Sequence, residues 1–527
     1  MITTGLIHHP PAASKLVTSF AGSLHSKTRN AHLIAKKVEG LDTYTWNRII
    51  KGYLEESDPK NAILVYTCVK KMGLKVDSYT LLFAVKACGL VPEICEGEQV
   101  HGQLYKLGFV SELIIQTALL TMYGLFDKVR CVQQVFDETP HRDIVMWNSL
   151  LAAYVQQDYH SQALAISHEM VKDNMKLNEM TVVSILSACS ALRDLRMGTM
   201  IHGFVIRNSL DMDVFVQNAL IGMYLKCESL SKARVIFQTM GARNVVSWTS
   251  MINGFSDNNY LSEALDLFRE MESRNIKPDE ITLLGMVSTC SKLGSFELGE
   301  WIDKYVERTA FGKNCIPMAN ALMDMHAKCG NINKACQIFD EMMEKTMVSW
   351  TTIIHGLALH GHGMPALIRF CQMQREGFKP DGVVFLNILS ACSHAGLVDE
   401  GKKCFDSMMN DYGIKPWMEH YGCMVDLLCR AQLINEAFEY ILHVPFKPDE
   451  IIWRIFLRGC QSQGDLGLAS RVMGNFPEHG RRGCEDYILL SNLYATVAEW
   501  DCVNEIRKKM KVAGVIKWSP GYSSIQP

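Results

Sequence analysis

Asp77, Asn178, Asp279 and Asp381 stand 101, 101 and 102 residues apart. A carboxylate accepts hydrogen bonds and an amide both donates and accepts, so a ladder of such groups suits recognition by hydrogen bonding. Two other residue types share the beat. Trp46, Trp147, Trp248 and Trp350 are separated by 101, 101 and 102 residues, as are Cys88, Cys189, Cys290 and Cys392. Three residue types in one register mark a tandem array.

The remaining chemistry-bearing residues fall into no reactive pattern. The 18 cysteines include no C-x-x-C pair, which removes the usual zinc and thioredoxin spacings. They read as buried, reduced thiols used as small apolar residues. His101 and His202, one large period apart, read as packing residues of the repeat. His168 and the histidines at 355, 360 and 362 read as structural in the same way. No G-x-x-x-x-G-K-[ST] loop occurs to cradle a phosphate. With 527 residues the chain exceeds one hydrophobic core. Its 48% hydrophobic and 21% charged residues exclude disorder, and its net charge of −3 excludes a polycationic tail. The uncharged stretch from Thr346 to Ile368 contains three histidines and a proline and fits the repeat, so no membrane span is expected.

The elements that position the ladder are helices. Trp248, Met251, Ile252 and Phe255 are spaced i, i+3, i+4, i+7, and Ala264, Leu267, Phe268 and Met271 repeat that spacing. Ser256-Asp257-Asn258-Asn259 between them is turn chemistry, and Lys277-Pro278-Asp279 is expected to end the second helix. The unit is a helical hairpin of about 35 residues, three to each large period. One hairpin cannot cover its own apolar faces, so neighbours must stack. The expected fold is all-α, a right-handed α-solenoid superhelix of stacked helix-turn-helix repeats.

These hairpins resemble the pentatricopeptide repeat family, in particular its plant PLS subclass, whose three motif lengths sum to the observed period. Val-Val-Ser-Trp-Thr-Ser-Met-Ile-Asn-Gly-Phe (245–255) is similar to the P motif and Leu-Ser-Ala-Cys-Ser (186–190, 389–393) to the L motif. Asn-Ala-Leu-Ile-Gly-Met-Tyr-Leu-Lys-Cys (218–227) and its counterpart at 320–329 resemble the S motif. The likeness covers residues 43–449. Beyond it, Glu-His-Tyr-Gly-Cys-Met-Val-Asp-Leu-Leu (419–428) resembles the terminal S repeat. Ile-Ile-Trp-Arg (451–454) through Tyr-Ile-Leu-Leu-Ser-Asn-Leu-Tyr-Ala (487–495) to Trp-Ser-Pro-Gly-Tyr (518–522) resembles a TPR-like E domain. Ser523-Ser524 departs from the aromatic expected there. The DYW deaminase of longer relatives is not seen.

The resemblance implies a reader of single-stranded RNA, one base per repeat, through the fifth and last residues of each P or S motif. At the last position, Asp should favour bases offering a ring N–H, G and U, whereas Asn suits C and A. The family assigns Asn at the fifth position to pyrimidines and Thr to purines. Asn47 with Asp77 then implies U, and Thr117 with Asp143 implies G. Asn148 with Asn178 and Asn218 with Asn244 each imply C. Thr249 with Asp279 implies G, Asn320 with Thr346 a pyrimidine, and Thr351 with Asp381 G. The L motifs carry Leu82, Val183, Leu284 and Leu386 at the fifth position and read little. The expected target is 5′-U-n-G-C-n-C-G-n-Y-G-n-n-3′. Asn and Asp near helix ends are also ordinary caps, and seven pairs in one register favour base reading over capping.

A zinc deaminase needs His-x-Glu and Pro-Cys-x-x-Cys; no histidine here is followed two residues later by Glu. The chain is expected to be no enzyme and to need no cofactor. Three uses remain. The first is a specificity factor for organellar C-to-U RNA editing, recruiting a deaminase in trans through its E domain. The second is an RNA-binding factor for transcript stabilisation, processing or splicing. The third is a TPR-like peptide-binding scaffold, against which the period and the Asn/Asp register argue. The expected domains are 1–42, an organellar transit segment with a degenerate repeat from Ala31 to Asp42; 43–449, the repeat array; and 450–527, the E domain. The first 38 residues hold no acidic residue, five Lys/Arg and eight Ser/Thr, which suits targeting to a mitochondrion or chloroplast. The resemblance inclines towards the mitochondrion.

Overall fold

The computed structural model describes residues 10–21, 28–91, 94–173, 175–309, 315–463, 467–469, 484–496 and 499–512. The chain divides into two compact units, residues 1–260 and 261–527. Among the described residues there are helices and no strands.

In the first unit the first helices of successive hairpins are Pro10–Ala21, Thr43–Glu55, Ser78–Gly89, Leu113–Leu125, Ile144–Gln156, Glu179–Leu192, Val214–Lys226 and Val245–Asp257. Their second helices, through Leu230–Thr239, alternate with them. Each first helix from Pro10–Ala21 to Val214–Lys226 packs on its own second helix and on the next first helix, so the first helices of this unit form one continuous row. The second unit repeats this plan. Its first helices run Glu280–Leu293, Ile316–Lys328, Met347–Leu359, Gly382–Ala395, Met418–Arg430 and Glu450–Gln463. Helices Cys484–Thr496 and Trp500–Val512 then form a terminal pair. Each unit is therefore an all-α solenoid. No described helix is long and apolar enough to cross a membrane.

The turn inside each hairpin is marked by a residue in the left-handed region. Asp158, Arg193, Glu228, Asn259, Gly294, Gly330, Gly361, Gly396 and Gln432 all have positive φ. From Asp158 to Asn259 they are spaced 35, 35 and 31 residues, which resolves the large period into its three motifs. Asn and Asp tolerate this conformation, and glycine adopts it freely.

The second helices stop earlier than the proline suggests. Leu261–Ser273 ends one turn before Lys277-Pro278-Asp279, at a turn through Asn275 with φ 57°. Pro278 instead holds the chain extended before the next helix, which Asp279 caps. The N-terminal hairpin is also longer than expected: its helices, Pro10–Ala21 and Thr28–Ala35, begin well before Ala31 and pack on Thr43–Glu55.

The core follows the apolar stripe. Trp46, Trp147, Trp248 and Trp350 are buried, as are the four cysteines of the same register. Burial pushes each of those thiols up to about 12. Phe136, Phe237 and Phe339 meet Trp147, Trp248 and Trp350 edge-on at 4.6, 4.8 and 4.7 Å. Arg142, Arg243 and Lys345 cover the outer faces of those phenylalanines at 4.2, 4.8 and 5.2 Å.

His101 and His202 are packing residues, as expected. Their Nδ1 atoms lie 2.8 and 2.9 Å from the hydroxyls of Tyr123 and Tyr224. Burial lowers both imidazole pKa values, with Lys232 adding to the effect at His202 while Glu138 and Asp211 oppose it. The unfolded chain therefore takes up protons at these sites before the folded one does. Stability they contribute is complete above about pH 6.5 and is lost as pH falls through the lowered folded values. Urea midpoints compared at pH 7.5 and pH 5.5 should drop in acid, and the drop should shrink in His202→Phe.

Candidate nucleic-acid interface

All seven last-position residues cap a helix. Asp77, Asp143, Asn178, Asn244, Asp279, Thr346 and Asp381 each accept, through the side chain, the backbone N–H three residues on. Capping and recognition are compatible in this geometry. The cap bond takes one oxygen. In Asn178 and Asn244 that oxygen is Oδ1, so the amide NH2 is what remains for a ligand. In Asp77, Asp143, Asp279 and Asp381 a second carboxylate oxygen remains, which can only accept. The cap thus settles which polarity each last residue presents.

The fifth-position residues lie one helix earlier in the row. Asn47 donates from Nδ2 to both oxygens of Asp77, at 2.9 and 3.2 Å. Asn148 donates to Asn178 Oδ1 at 3.2 Å, and Asn218 to Asn244 Oδ1 at 3.4 Å. A buried threonine, three residues past the cap, completes the first two sets. Thr80 Oγ1 lies 2.7 Å from both Asn47 Oδ1 and Asp77 Oδ1. Thr181 Oγ1 lies 2.6 Å from Asn148 Oδ1 and 2.9 Å from Asn178 Oδ1. These hydroxyls hold the amide so that an Nδ2 proton stays available as a donor. Ser247 and Ser349 occupy the same station beyond Asn218 and Asn320, whose Oδ1 atoms are buried without a partner.

Threonines at the fifth position have the opposite polarity. Thr117, Thr249 and Thr351 donate their hydroxyl protons to the helix carbonyls of Leu113, Val245 and Met347 at 2.9, 2.9 and 2.8 Å. In Thr117 and Thr351 the hydroxyl proton is thereby used, and the oxygen can offer only lone pairs. No direct hydrogen bond joins Thr117 to Asp143, Asn320 to Thr346 or Thr351 to Asp381 among the described residues. Thr249 lies in the first unit and Asp279 in the second. Burial raises the Asp77 pKa, but hydrogen bonds from Thr80 and Asn47 outweigh it and hold the carboxyl below its ordinary value.

A second row lies beside these pairs. Two residues past the caps of the first unit an apolar side chain stands in solvent: Tyr44, Tyr79, Ile114, Val145, Met180, Phe215 and Val246. Ile281, Val348, Val383 and Ile451 continue it in the second. The signal was present, because this position lies two residues before the tryptophan and outside the i, i+3, i+4, i+7 core stripe. An exposed apolar surface beside a hydrogen-bonding pair suits the face of a heteroaromatic ring. Three cations near the ends of the first helices are offset by carboxylates: Lys226 by Asp257 at 3.4 Å, Lys328 by Asp324 at 2.7 Å and Arg430 by Asp426 at 2.8 Å.

Family models for the PPR repeat match residues 44–74, 142–191, 243–292, 318–347, 348–378 and 383–412, and an E motif model matches 469–526. Most of the E motif, including Trp518–Tyr522, lies outside the described residues. A pentatricopeptide repeat-containing protein of Arabidopsis thaliana is 36% identical over 94% of this chain and 89% of its own length. Two other relatives from that plant, one named as chloroplastic and one as mitochondrial, are 34% and 32% identical over 96% and 100% of this chain. They are covered over 62% and 82% of their lengths. The fold is similar to the pentatricopeptide repeat protein PPR10 in complex with an 18-nt psaJ RNA element, with TM-score 0.61 and 16% identity. That match spans 97% of this chain and 80% of PPR10. With hairpins, register and full-length relatives in agreement, the chain belongs to the pentatricopeptide repeat family.

Proposed function

We propose that this protein binds single-stranded RNA sequence-specifically in a plant organelle and selects sites for C-to-U editing, with a deaminase supplied in trans. The observation that carries the reading is the pairing of Asn47, Asn148 and Asn218 with the helix caps Asp77, Asn178 and Asn244, whose free polarity the cap bond fixes. Asn at the fifth position offers an N–H, which the O2 carbonyl shared by C and U can accept. Thr offers a lone pair and a smaller side chain, which suits a purine edge. Residues 43–449 would form the reading array and 450–527 the E domain. The footprint is 5′-U-n-G-C-n-C-G-n-Y-G-n-n-3′, with base faces packed on the exposed apolar row. PPR10 is named in complex with RNA, which supports the RNA reading. The E motif match supports editing over bare tethering. Relatives named as chloroplastic and mitochondrial support an organellar location.

The test is binding of RNAs that carry this string with single-base changes, followed by transcriptome sequencing of a null mutant. One unedited cytidine just 3′ of the string is expected. Altered transcript ends or retained introns would instead mark a processing or splicing factor. Thr181→Val removes the hydroxyl that orients Asn148 while keeping its volume. It should lower the pyrimidine-over-purine preference at that nucleotide by about threefold to tenfold, the worth of one hydrogen bond, with Thr181→Ser retaining part of it.

A further inference from the structure

The helix pair Pro10–Ala21 and Thr28–Ala35 packs on Thr43–Glu55 with both of its helices, as Thr43–Glu55 and Pro59–Lys71 pack on Ser78–Gly89. Its residues hold the reading register too. Ser14 is the fifth residue of the first helix, and Asp42 caps the next helix by accepting from Thr45 N at 3.1 Å. Tyr44, two residues past the cap, is exposed like the rest of the apolar row. Thr45 is fully buried at the station that Thr80 and Thr181 occupy in later repeats. It donates its hydroxyl to Asp42 Oδ1, and Ser14 Oγ lies 2.6 Å from Thr45 Oγ1.

We infer that Ser14 and Asp42 form an additional base-reading site for a guanine, one nucleotide 5′ of the U assigned to Asn47 and Asp77. The hydrogen-bond polarity selects the base. Asp42 can only accept, so the Thr45 proton belongs to it. Thr45 Oγ1 must then accept from Ser14, which spends the Ser14 proton as well. What this relay leaves for a ligand is lone pairs on Ser14 Oγ and on the second oxygen of Asp42. Two neighbouring acceptors match two neighbouring N–H donors, and guanine alone offers that edge, with N1–H beside its N2 amine. Uracil has one ring N–H flanked by carbonyls, which would face Ser14 acceptor to acceptor. Adenine and cytosine place a bare ring nitrogen where Asp42 needs a donor. The footprint becomes 5′-G-U-n-G-C-n-C-G-n-Y-G-n-n-3′, and residues 10–42 belong to the RNA-binding protein itself.

This inference rests on base reading by the array, and the experiment separates the two. Fluorescence anisotropy on the full chain compares four RNAs that differ only at the added 5′ nucleotide. A parallel set varies the nucleotide opposite Asn148 and Asn178. The G RNA is expected to bind about tenfold tighter than the A RNA, as one bidentate base contact allows. Ser14→Ala should reduce that preference and Asp42→Asn should abolish it. Asparagine keeps the cap, so the fold is preserved. If the wild type discriminates opposite Asn148 yet treats all four 5′ bases alike, the Ser14 site is refuted while array reading stands. Indifference at both nucleotides refutes both. A G preference that survives in Asp42→Asn and Ser14→Ala also overturns the assignment.

Discussion

If the proposed code holds, Asn178→Asp is expected to change the preference at the nucleotide assigned to Asn148 and Asn178 from C to U, with about a tenfold preference in each direction. The argument is one of polarity at fixed geometry. Asn178 Oδ1 accepts Thr181 N at 3.0 Å and the Asn148 amide at 3.2 Å, which leaves its NH2 to donate to the ring nitrogen of C. An aspartate keeps the cap and the contact to Asn148, because Asp and Asn cap almost equally well. It replaces the remaining donor by an acceptor, which pairs with the ring N–H of U and repels the bare nitrogen of C. The chain already contains the product of this exchange: Asn47 donates to both oxygens of Asp77 at 2.9 and 3.2 Å. A reversed preference costs two mispaired contacts, each worth about 1–3 kcal/mol of discrimination. Anisotropy titrations with RNAs differing at this one nucleotide read the outcome. Equal affinity of the variant for C and U would show that Asn178 only caps.

Asp303→Ala is expected to destabilise the second unit by about 1.5–3 kcal/mol, the worth of polar contacts to a buried charged group. His326 Nε2 lies 3.3 Å from Asp303 Oδ2, both side chains are almost wholly inaccessible, and Lys334 Nζ stands 3.8 Å from the same oxygen. The pair occupies the register of His101 with Tyr123 and His202 with Tyr224. Asp303 follows His202 by 101 residues, and His326 follows Tyr224 by 102. The histidine–tyrosine contact of those repeats is replaced here by a carboxylate facing a histidine. The double variant Asp303→His with His326→Tyr should therefore recover most of the loss, although each single substitution is damaging. Urea unfolding with hydrogen exchange over the helices Phe296–Glu307 and Ile316–Lys328 would measure this. A double variant no better than the single ones would refute the equivalence. Stacked repeats unfold as neighbours rather than as one body, so the loss should concentrate in those helices.

The sequence by itself determined the hairpins, their three lengths, the core tryptophans and cysteines, and which residues hold the fifth and last stations. These follow from periodicity, and periodicity is local: an apolar stripe or a turn residue is set by neighbours within one helix. The end of Leu261–Ser273 is not legible from Pro278, because the turn at Asn275 comes first. What only the tertiary structure decided is the polarity of each hydrogen bond. The direction of the Asn148 amide depends on Thr181, 33 residues away on another helix. The Ser14–Thr45–Asp42 relay likewise exists only because one hairpin stacks on the next. A side chain's type says which bonds it can make. Which of them remain for a ligand depends on those the stacked neighbours have already used.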